Sequence, residues 1–204
     1  MQVNTIVVGP LQTNCYVLSD THGNAALIDL GDDADRILQY VRMHNLNVKG
    51  IWLTHGHYDH INAVPALKAV LPCPVIACEA EKSLLADGRK NLSLPFGGRP
   101  LALEADVWHK EGDVFPFGDE TVTVFHTPGH TAGSCCYAVG NLLFSGDTLF
   151  ENSIGRTDFP TGDPMTMRLT LQRLLALEGE YTVLPGHGPA TLLSVERREN
   201  PYIR

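Results

Sequence analysis

Four potential metal ligands fall within the stretch Thr54-His55-Gly56-His57-Tyr58-Asp59-His60, and no other segment constrains the fold of this chain so tightly. It follows directly on the apolar run Val48 to Leu53, which reads as a strand ending in Thr54-His55. In extended chain, residues two apart project to the same side, so His55, His57 and Asp59 can converge while His60 turns to a neighbouring position. The plain alternative is a turn of solvent-facing histidines, and the H-x-H-x-D-H spacing speaks against it. Three more ligand-type residues recur after later strands: His130 in Thr127-Pro128-Gly129-His130-Thr131, Asp147 in Ser145-Gly146-Asp147-Thr148, and His187 in Pro185-Gly186-His187-Gly188. Each alone reads as a turn residue beside glycine. Together they call for a sheet with one edge that presents all of them to a single point.

Five histidines and two aspartates exceed what one tetrahedral zinc needs and suit two divalent metal ions that share a bridge. A carboxylate bridges two cations readily and an imidazole does not, so Asp147 or Asp59 is the bridge candidate. Zinc is the expected metal, and a nitrogen-rich site with a carboxylate bridge also accepts iron or manganese. Zinc-bound water has a pKa of about 7, so hydroxide is available at neutral pH without a protein nucleophile. Two cations about 3.5–4 Å apart polarise a carbonyl and take up the charge of its tetrahedral intermediate. Asp59 has a second expected role, accepting a hydrogen bond from the hydroxide and fixing its line of attack. A thioester suits such a site, because a thiol of pKa about 8.5 leaves as thiolate with little help from an acid.

The rest of the chain supplies a scaffold. Its 204 residues are expected to form a single domain, 1–204, burying roughly 70% of the unfolded surface. Ile6 to Val8, Cys15 to Leu18 and Ala25 to Ile28 read as short strands. Asp32 or Asp33 then caps a helix with Ala34, Ile37, Leu38 and Val41 on one stripe. A second helix is expected from Ala63 to Leu71 and a strand from Pro74 to Ala77. Residues 84–119 read as a long Gly- and Pro-rich loop at the mouth of a site. Strands at Thr121 to Phe125, Ser134 to Val139 and Leu142 to Ser145 follow, the last two in a hairpin at Gly140-Asn141. Asp163 and Pro164 open a helix with Met167, Leu171, Leu174 and Leu175 on one face, and Tyr181 to Leu184 is the last strand. Hydrophobic residues make up 44% and charged residues 19%, which excludes a disordered or coiled-coil chain. A net charge of −8 argues against a nucleic-acid partner, and the absence of a basic run argues against a membrane surface. The amino terminus lacks signal-peptide features, and five cysteines without CxxC spacing read as reduced core thiols; a cytoplasmic location is expected.

Other residues take plainer readings. His126 follows Val122 and Val124 at period two and is expected behind the site rather than on a metal. Asp29, at a strand end, either orients a ligand or caps a turn. Arg156 and Asp158 are expected to pair and support their loop. His22, His44 and His109 read as surface residues. Tyr137 and Phe96 are pocket-wall candidates for which core packing is the competing role.

The H-x-H-x-D-H run, followed by a Pro-Gly-His, a Gly-Asp and a terminal Gly-His, resembles the pattern of the metallo-beta-lactamase superfamily over nearly the whole chain. The resemblance implies an α/β (α+β) fold, a four-layer αββα sandwich with its site on one edge of two packed sheets. It implies His55, His57 and His130 as ligands of a first metal, Asp59, His60 and His187 as ligands of a second, and Asp147 as the bridge. Asp147 stands where the superfamily's β-lactamases commonly carry cysteine, which implies a different substrate, and the chain is too short for the inserted domain of the nucleic-acid-processing branch. Thr127-Pro-Gly-His-Thr, Ser145-Gly-Asp-Thr-Leu-Phe and Gly155-Arg-Thr-Asp-Phe-Pro are similar to the glyoxalase II group. The ending from Gly186, with Glu196-Arg197 and Asn200-Pro201, is similar to its small single-domain bacterial members. The implied activity is metal-hydroxide hydrolysis of a small-molecule thioester such as S-D-lactoylglutathione, as in a hydroxyacylglutathione hydrolase. The chain departs from larger members in lacking a C-terminal glutathione-binding helical domain and in having Leu30 where proline is frequent. Gly155-Arg-Thr-Asp-Phe is also similar to the persulfide dioxygenase branch, which implies one iron and oxygen consumption.

Overall fold

The alternation of apolar residues builds three cores rather than one. In the strand Thr13–Ser19, Cys15 and Val17 pack into one cluster while Tyr16 and Leu18 pack into another. In Cys135–Val139, Cys136 and Ala138 face a third cluster while Cys135, Tyr137 and Val139 join the second. Strands buried on both faces read as continuous apolar runs, and two sheets stacked face to face with helices outside satisfy every such run.

A computed structural model describes residues 1–203. The first sheet runs, in spatial order, through β1 (Gln2–Val8), β2 (Thr13–Ser19), β3 (Asn24–Ile28), β4 (Asn47–Trp52), β5 (Val75–Cys78) and β6 (Val107–His109). The second has the order β14 (Thr191–Leu192), β13 (Thr182–Pro185), β10 (Leu142–Gly146), β9 (Cys135–Val139), β8 (Glu120–His126), β7 (Val114–Phe117). A small ribbon of β11 (Leu149–Phe150) and β12 (Ser153–Ile154) lies apart. Trp52, Ile76, Phe144 and Leu184 fill the space between the sheets. Helices α1 (Ala34–Met43) and α3 (Val64–Lys68) cover the first sheet through Ile37, Val41, Val64 and Leu67. Helices α5 (Pro164–Leu175) and α6 (Leu193–Glu199) cover the second through Met167, Leu171, Leu174 and Leu193. The order is helix, sheet, sheet, helix, as the resemblance implies. No helix among the described residues is long and apolar enough to cross a membrane.

Several local expectations change. Asp33 sits at φ 53° and makes no side-chain cap; its carboxylate instead accepts the Gly9 amide at 3.0 Å, tying the first turn to α1. The expected helix 63–71 is the shorter α3 (Val64–Lys68), with Pro65 in its first turn, and a separate short helix, α2 (Tyr58–Ile61), precedes it. The expected loop 84–119 is entered through α4 (Lys82–Leu85) and contains the edge strands β6 and β7. Asp163 does cap α5, accepting the Thr166 amide at 2.6 Å, with Pro164 at the first helical position.

Candidate metal centre

All seven ligand-type residues lie at one edge of the sandwich, just beyond strand ends. The extended backbone after β4 stops at His57, and Asp59 and His60 project from the first turn of α2. That corrects the picture of an extended run through Asp59. The turn is held by the Tyr58 amide donating to Asn91 O at 2.8 Å and the His60 amide donating to His57 O at 2.9 Å. His130 follows β8, Asp147 follows β10 and His187 follows β13. A Cβ on Gly186 would stand 2.2 Å from Asp147 Oδ1 and 2.6 Å from His60 Cε1, so only glycine lets the last turn approach.

The donor atoms of six of the seven residues fall into two groups of three, and Asp29 lies close to His55 and His60 in a further set between them. Ligand atoms of His55, His57 and His130 lie within 4.8 Å of one another, and so do those of Asp59, His60 and His187. Asp147 spans them: its Oδ2 is 3.5 Å from His130 Nε2 and 3.7 Å from His187 Nε2, while its Oδ1 is 3.5 Å from His60 Nε2. The structure thus brings together the same seven side chains that the resemblance implies as ligands.

Hydrogen bonds behind the rings decide which nitrogen faces inward. His60 Nδ1 donates to Asp29 Oδ2 at 3.0 Å, His130 Nδ1 to Arg156 O at 2.7 Å, and His187 Nδ1 to Leu11 O at 3.1 Å. The Thr54 hydroxyl gives its proton to Asp29 Oδ2 at 2.6 Å, so it accepts from His55 Nδ1 at 3.2 Å. Four imidazoles therefore turn Nε2 toward the centre, the arrangement by which proteins orient metal-binding histidines. Three atoms facing the centre, His55 Nε2, His57 Nε2 and Asp147 Oδ1, are buried without a hydrogen-bond partner. His57 Nδ1 sits 2.9 Å from His130 Nε2, so either tautomer of His57 leaves a buried lone pair unmet.

Electrostatics divides the two groups. Burial pushes the His55 and His130 imidazoles below their ordinary range and takes His57 down to about 3. They stand as neutral donors. Burial works the same way on His60, but the carboxylates of Asp147, Asp59 and Asp29 overcome it and raise His60 to about 10. His187 is raised against its own burial by Asp59, which it meets at 3.3 Å. Burial would raise the Asp59 carboxyl, and His60 and His187 hold it well below the carboxylate range. The mixed group thus demands positive charge, which a proton meets only in part. Lone pairs without donors and carboxylates without cations are what a pair of divalent ions would satisfy.

Above this edge opens a cavity of about 490 Å³. Leu11, Leu92, Phe96, Phe150 and Phe159 form its apolar wall, so residues 84–119 do contribute to the mouth, and Phe96 takes the wall role. Tyr137 does not: it is fully buried between the sheets and donates to Leu53 O at 3.1 Å. Arg156 pairs with Asp158 through two 2.7 Å bonds and lies 3.7 Å over the Phe159 ring. Asp29 both orients His60 and accepts the Thr54 amide at 2.8 Å. His126 stands away from the centre, its Nε2 donating to Ala132 O at 2.8 Å. His22 and His44 are exposed, whereas His109 is half-buried and stacked on Phe115 at 4.7 Å. Sequence reading missed Leu11, Phe150 and Phe159 as wall residues, since isolated apolar side chains in loops or in a two-residue strand carry no periodic signal.

The profile of the Metallo-beta-lactamase superfamily matches residues 8–187. Hydroxyacylglutathione hydrolase GloC of Haemophilus influenzae is 33% identical, over 100% of this chain and 98% of its own length. Among solved structures, BLEG-1 B3 metallo-beta-lactamase has a TM-score of 0.93 at 37% identity, covering 99% of both chains. TTHA1623 in a di-iron-bound form has a TM-score of 0.88 at 36% identity, covering 98% of this chain and all of the other. ETHE1 from Myxococcus xanthus has a TM-score of 0.82 at 30% identity, covering 98% and 84%. With the matched segment running from β1 through the last histidine of the centre, the chain belongs to the metallo-beta-lactamase superfamily.

Proposed function

We propose that this protein is a dinuclear metal-dependent hydrolase of small-molecule thioesters, acting as a single catalytic domain, with S-D-lactoylglutathione as the leading substrate. The observation that carries the metal reading is the set of four Nδ1-anchored imidazoles aimed inward beside two carboxylates. In this reading His55, His57 and His130 would hold one ion, Asp59, His60 and His187 would hold the other, and Asp147 would serve both. Two bound cations would supply Lewis-acid polarisation of a carbonyl and make a water nucleophilic at neutral pH. The chain's own residues do the rest. Asp29, Thr54, Arg156 O and Leu11 O keep the imidazole lone pairs pointed inward. Asp59, whose Oδ2 also receives the Thr13 hydroxyl at 3.4 Å, is placed to accept a proton-bearing group and set its direction. The apolar wall excludes water from the acyl group. No serine, cysteine or lysine lines the cavity, so the polypeptide offers no nucleophile of its own. Its carboxylates are both assigned to cations, which favours a leaving group that departs without an acid, as a thiolate does. The similarity to the Haemophilus influenzae GloC supports a hydroxyacylglutathione thioester over other thioesters.

Zinc is the leading metal, and the di-iron form of TTHA1623 makes iron the first alternative. The test is turnover of S-D-lactoylglutathione by protein loaded separately with zinc, iron and manganese. The expected result is metal-dependent loss of the thioester, abolished in His57→Ala and Asp147→Ala. Oxygen uptake with glutathione persulfide in its place would make the protein a dioxygenase. Hydrolysis of a chromogenic cephalosporin without thioesterase activity would align it with BLEG-1, which is named a B3 metallo-beta-lactamase.

A further inference from the structure

One buried carboxylate near the centre is not accounted for by the ligand groups. Glu81, at the end of the 3₁₀ turn after β5, is 1% exposed. Its Oε1 accepts the Gly56 amide at 2.8 Å and the Thr131 hydroxyl at 2.8 Å, and its Oε2 accepts the Gly133 amide at 2.9 Å. All three donors are neutral. Gly56 is the residue between His55 and His57, and Thr131 is the residue after His130. His55 and His57 come from the first sheet and His130 from the second, so this one side chain clasps the two loops that build the first ligand group. The loop after His130 also packs directly on the turn that carries Glu81, because a Cβ on Gly133 would lie 2.2 Å from Glu81 N.

A carboxylate is the group this position requires. Three donors converge on two oxygens, and a glutamine would turn an NH₂ against at least one of them, leaving two buried donors face to face. Burying a carboxylate among neutral donors is costly, and cations held by the adjoining histidines would supply the missing positive charge. None of its three bonds reaches α2, the Asp147 turn or the His187 turn. Resting on the metal reading above, we propose that Glu81 is a positioning residue for the His55, His57 and His130 group. It sets the gap between the loops from the two sheets, and so the affinity of one cation position and not the other.

Metal titration against a chromophoric chelator, starting from metal-free protein, resolves the two binding steps. His57→Ala and His187→Ala identify which step belongs to which group. Glu81→Gln is expected to weaken the His57-dependent step by about tenfold to a hundredfold, and to change the other by less than about threefold. Thr131→Val, which removes one donor and leaves the carboxylate in place, is expected to weaken the same step by a smaller factor. Glu196→Gln is the control for a purely structural carboxylate. Glu196 is equally buried and accepts from Thr191 Oγ1, Asn152 N and Asn200 Nδ2 without touching the ligand loops; its variant should lower the melting temperature and move neither step. Equal weakening of both steps by Glu81→Gln, or an effect on neither, overturns the proposal. If Glu81→Gln does not fold, an unchanged His57-dependent step in Thr131→Val overturns it. Failure of the unaltered protein to bind any metal overturns the metal reading itself, a separate result.

Discussion

His55, His57 and His130 are buried bases whose protons are bound only when the chain unfolds, while His60 and His187 are buried bases that hold protons more tightly folded than unfolded. The two sets push metal-free stability in opposite directions. Below the ordinary histidine pKa of about 6.5 the unfolded chain takes up protons that the first set refuses, so stability falls as pH drops toward 3. Above 6.5 the unfolded chain loses protons that His60 keeps to about 10, so stability falls as pH rises through that window. Melting temperature measured in chelator is therefore expected to peak near pH 6.5 and decline on both sides; a flat profile would contradict the charge arrangement. Asp29 carries a second expectation at this scale. Its carboxylate takes the Thr54 amide, the Thr54 hydroxyl and His60 Nδ1, so Asp29→Ala frees the ring of His60 and the hydroxyl behind His55. Metal affinity is expected to fall about 10- to 100-fold, read by chelator competition.

At the scale of elements, the turns that carry the ligands matter more than the strands that deliver them. Gly186 passes so close to Asp147 and His60 that any side chain must displace one of them. Gly186→Ala is expected to reduce bound metal below that of the unaltered protein and to cut turnover by about a hundredfold, the scale of a misplacement near 1 Å. Melting in chelator should change far less, because the strand β13 ahead of the turn keeps its pairing with β10. Phe159 belongs to the short segment after β12 and touches both the His57 ring, at 5.8 Å between centroids, and Phe96, at 6.0 Å. Phe159→Ala is expected to raise KM for the thioester severalfold with little loss of bound metal, since it removes wall and no ligand.

Across the whole molecule the centre sits where the two sheets meet. β4 and α2 bring His55, His57, Asp59 and His60 from the first half, and the second half brings His130, Asp147 and His187. Polypeptide bonds already cross this seam: Asn14 N donates to Gly186 O at 2.7 Å, and Cys135 N donates to Thr54 O at 2.8 Å. Metal bound only in the folded state adds about 2.7 kcal/mol at a concentration of 100 Kd. For a chain this size that corresponds to a rise of roughly 5–10 °C in melting temperature. Scanning calorimetry with and without chelator checks it, and an unchanged transition would mean that no cation ties the halves together.

How much of this was legible beforehand depends on what kind of signal each feature leaves. The spacing His55-x-His57-x-Asp59-His60, the glycine-flanked His130, Asp147 and His187, and the Asp163-Pro164 start of α5 are local chemistry, written in adjacent residues. The sequence by itself determined the ligand types, most of the central strands and, through resemblance, the layered fold. The edge strands β6 and β7 were illegible because they are short, partly exposed and, in β7, interrupted by Pro116, so neither periodicity nor propensity marks them. Only the tertiary structure decided which nitrogen of each imidazole faces inward, because the acceptors that settle it are Asp29, Arg156 O and Leu11 O, far away in the chain. It alone gathered Leu11, Phe150 and Phe159 into one wall and set Glu81 across two loops. Contacts between residues distant in sequence are fixed by how two sheets pack, and packing leaves no short-range trace in the order of the residues.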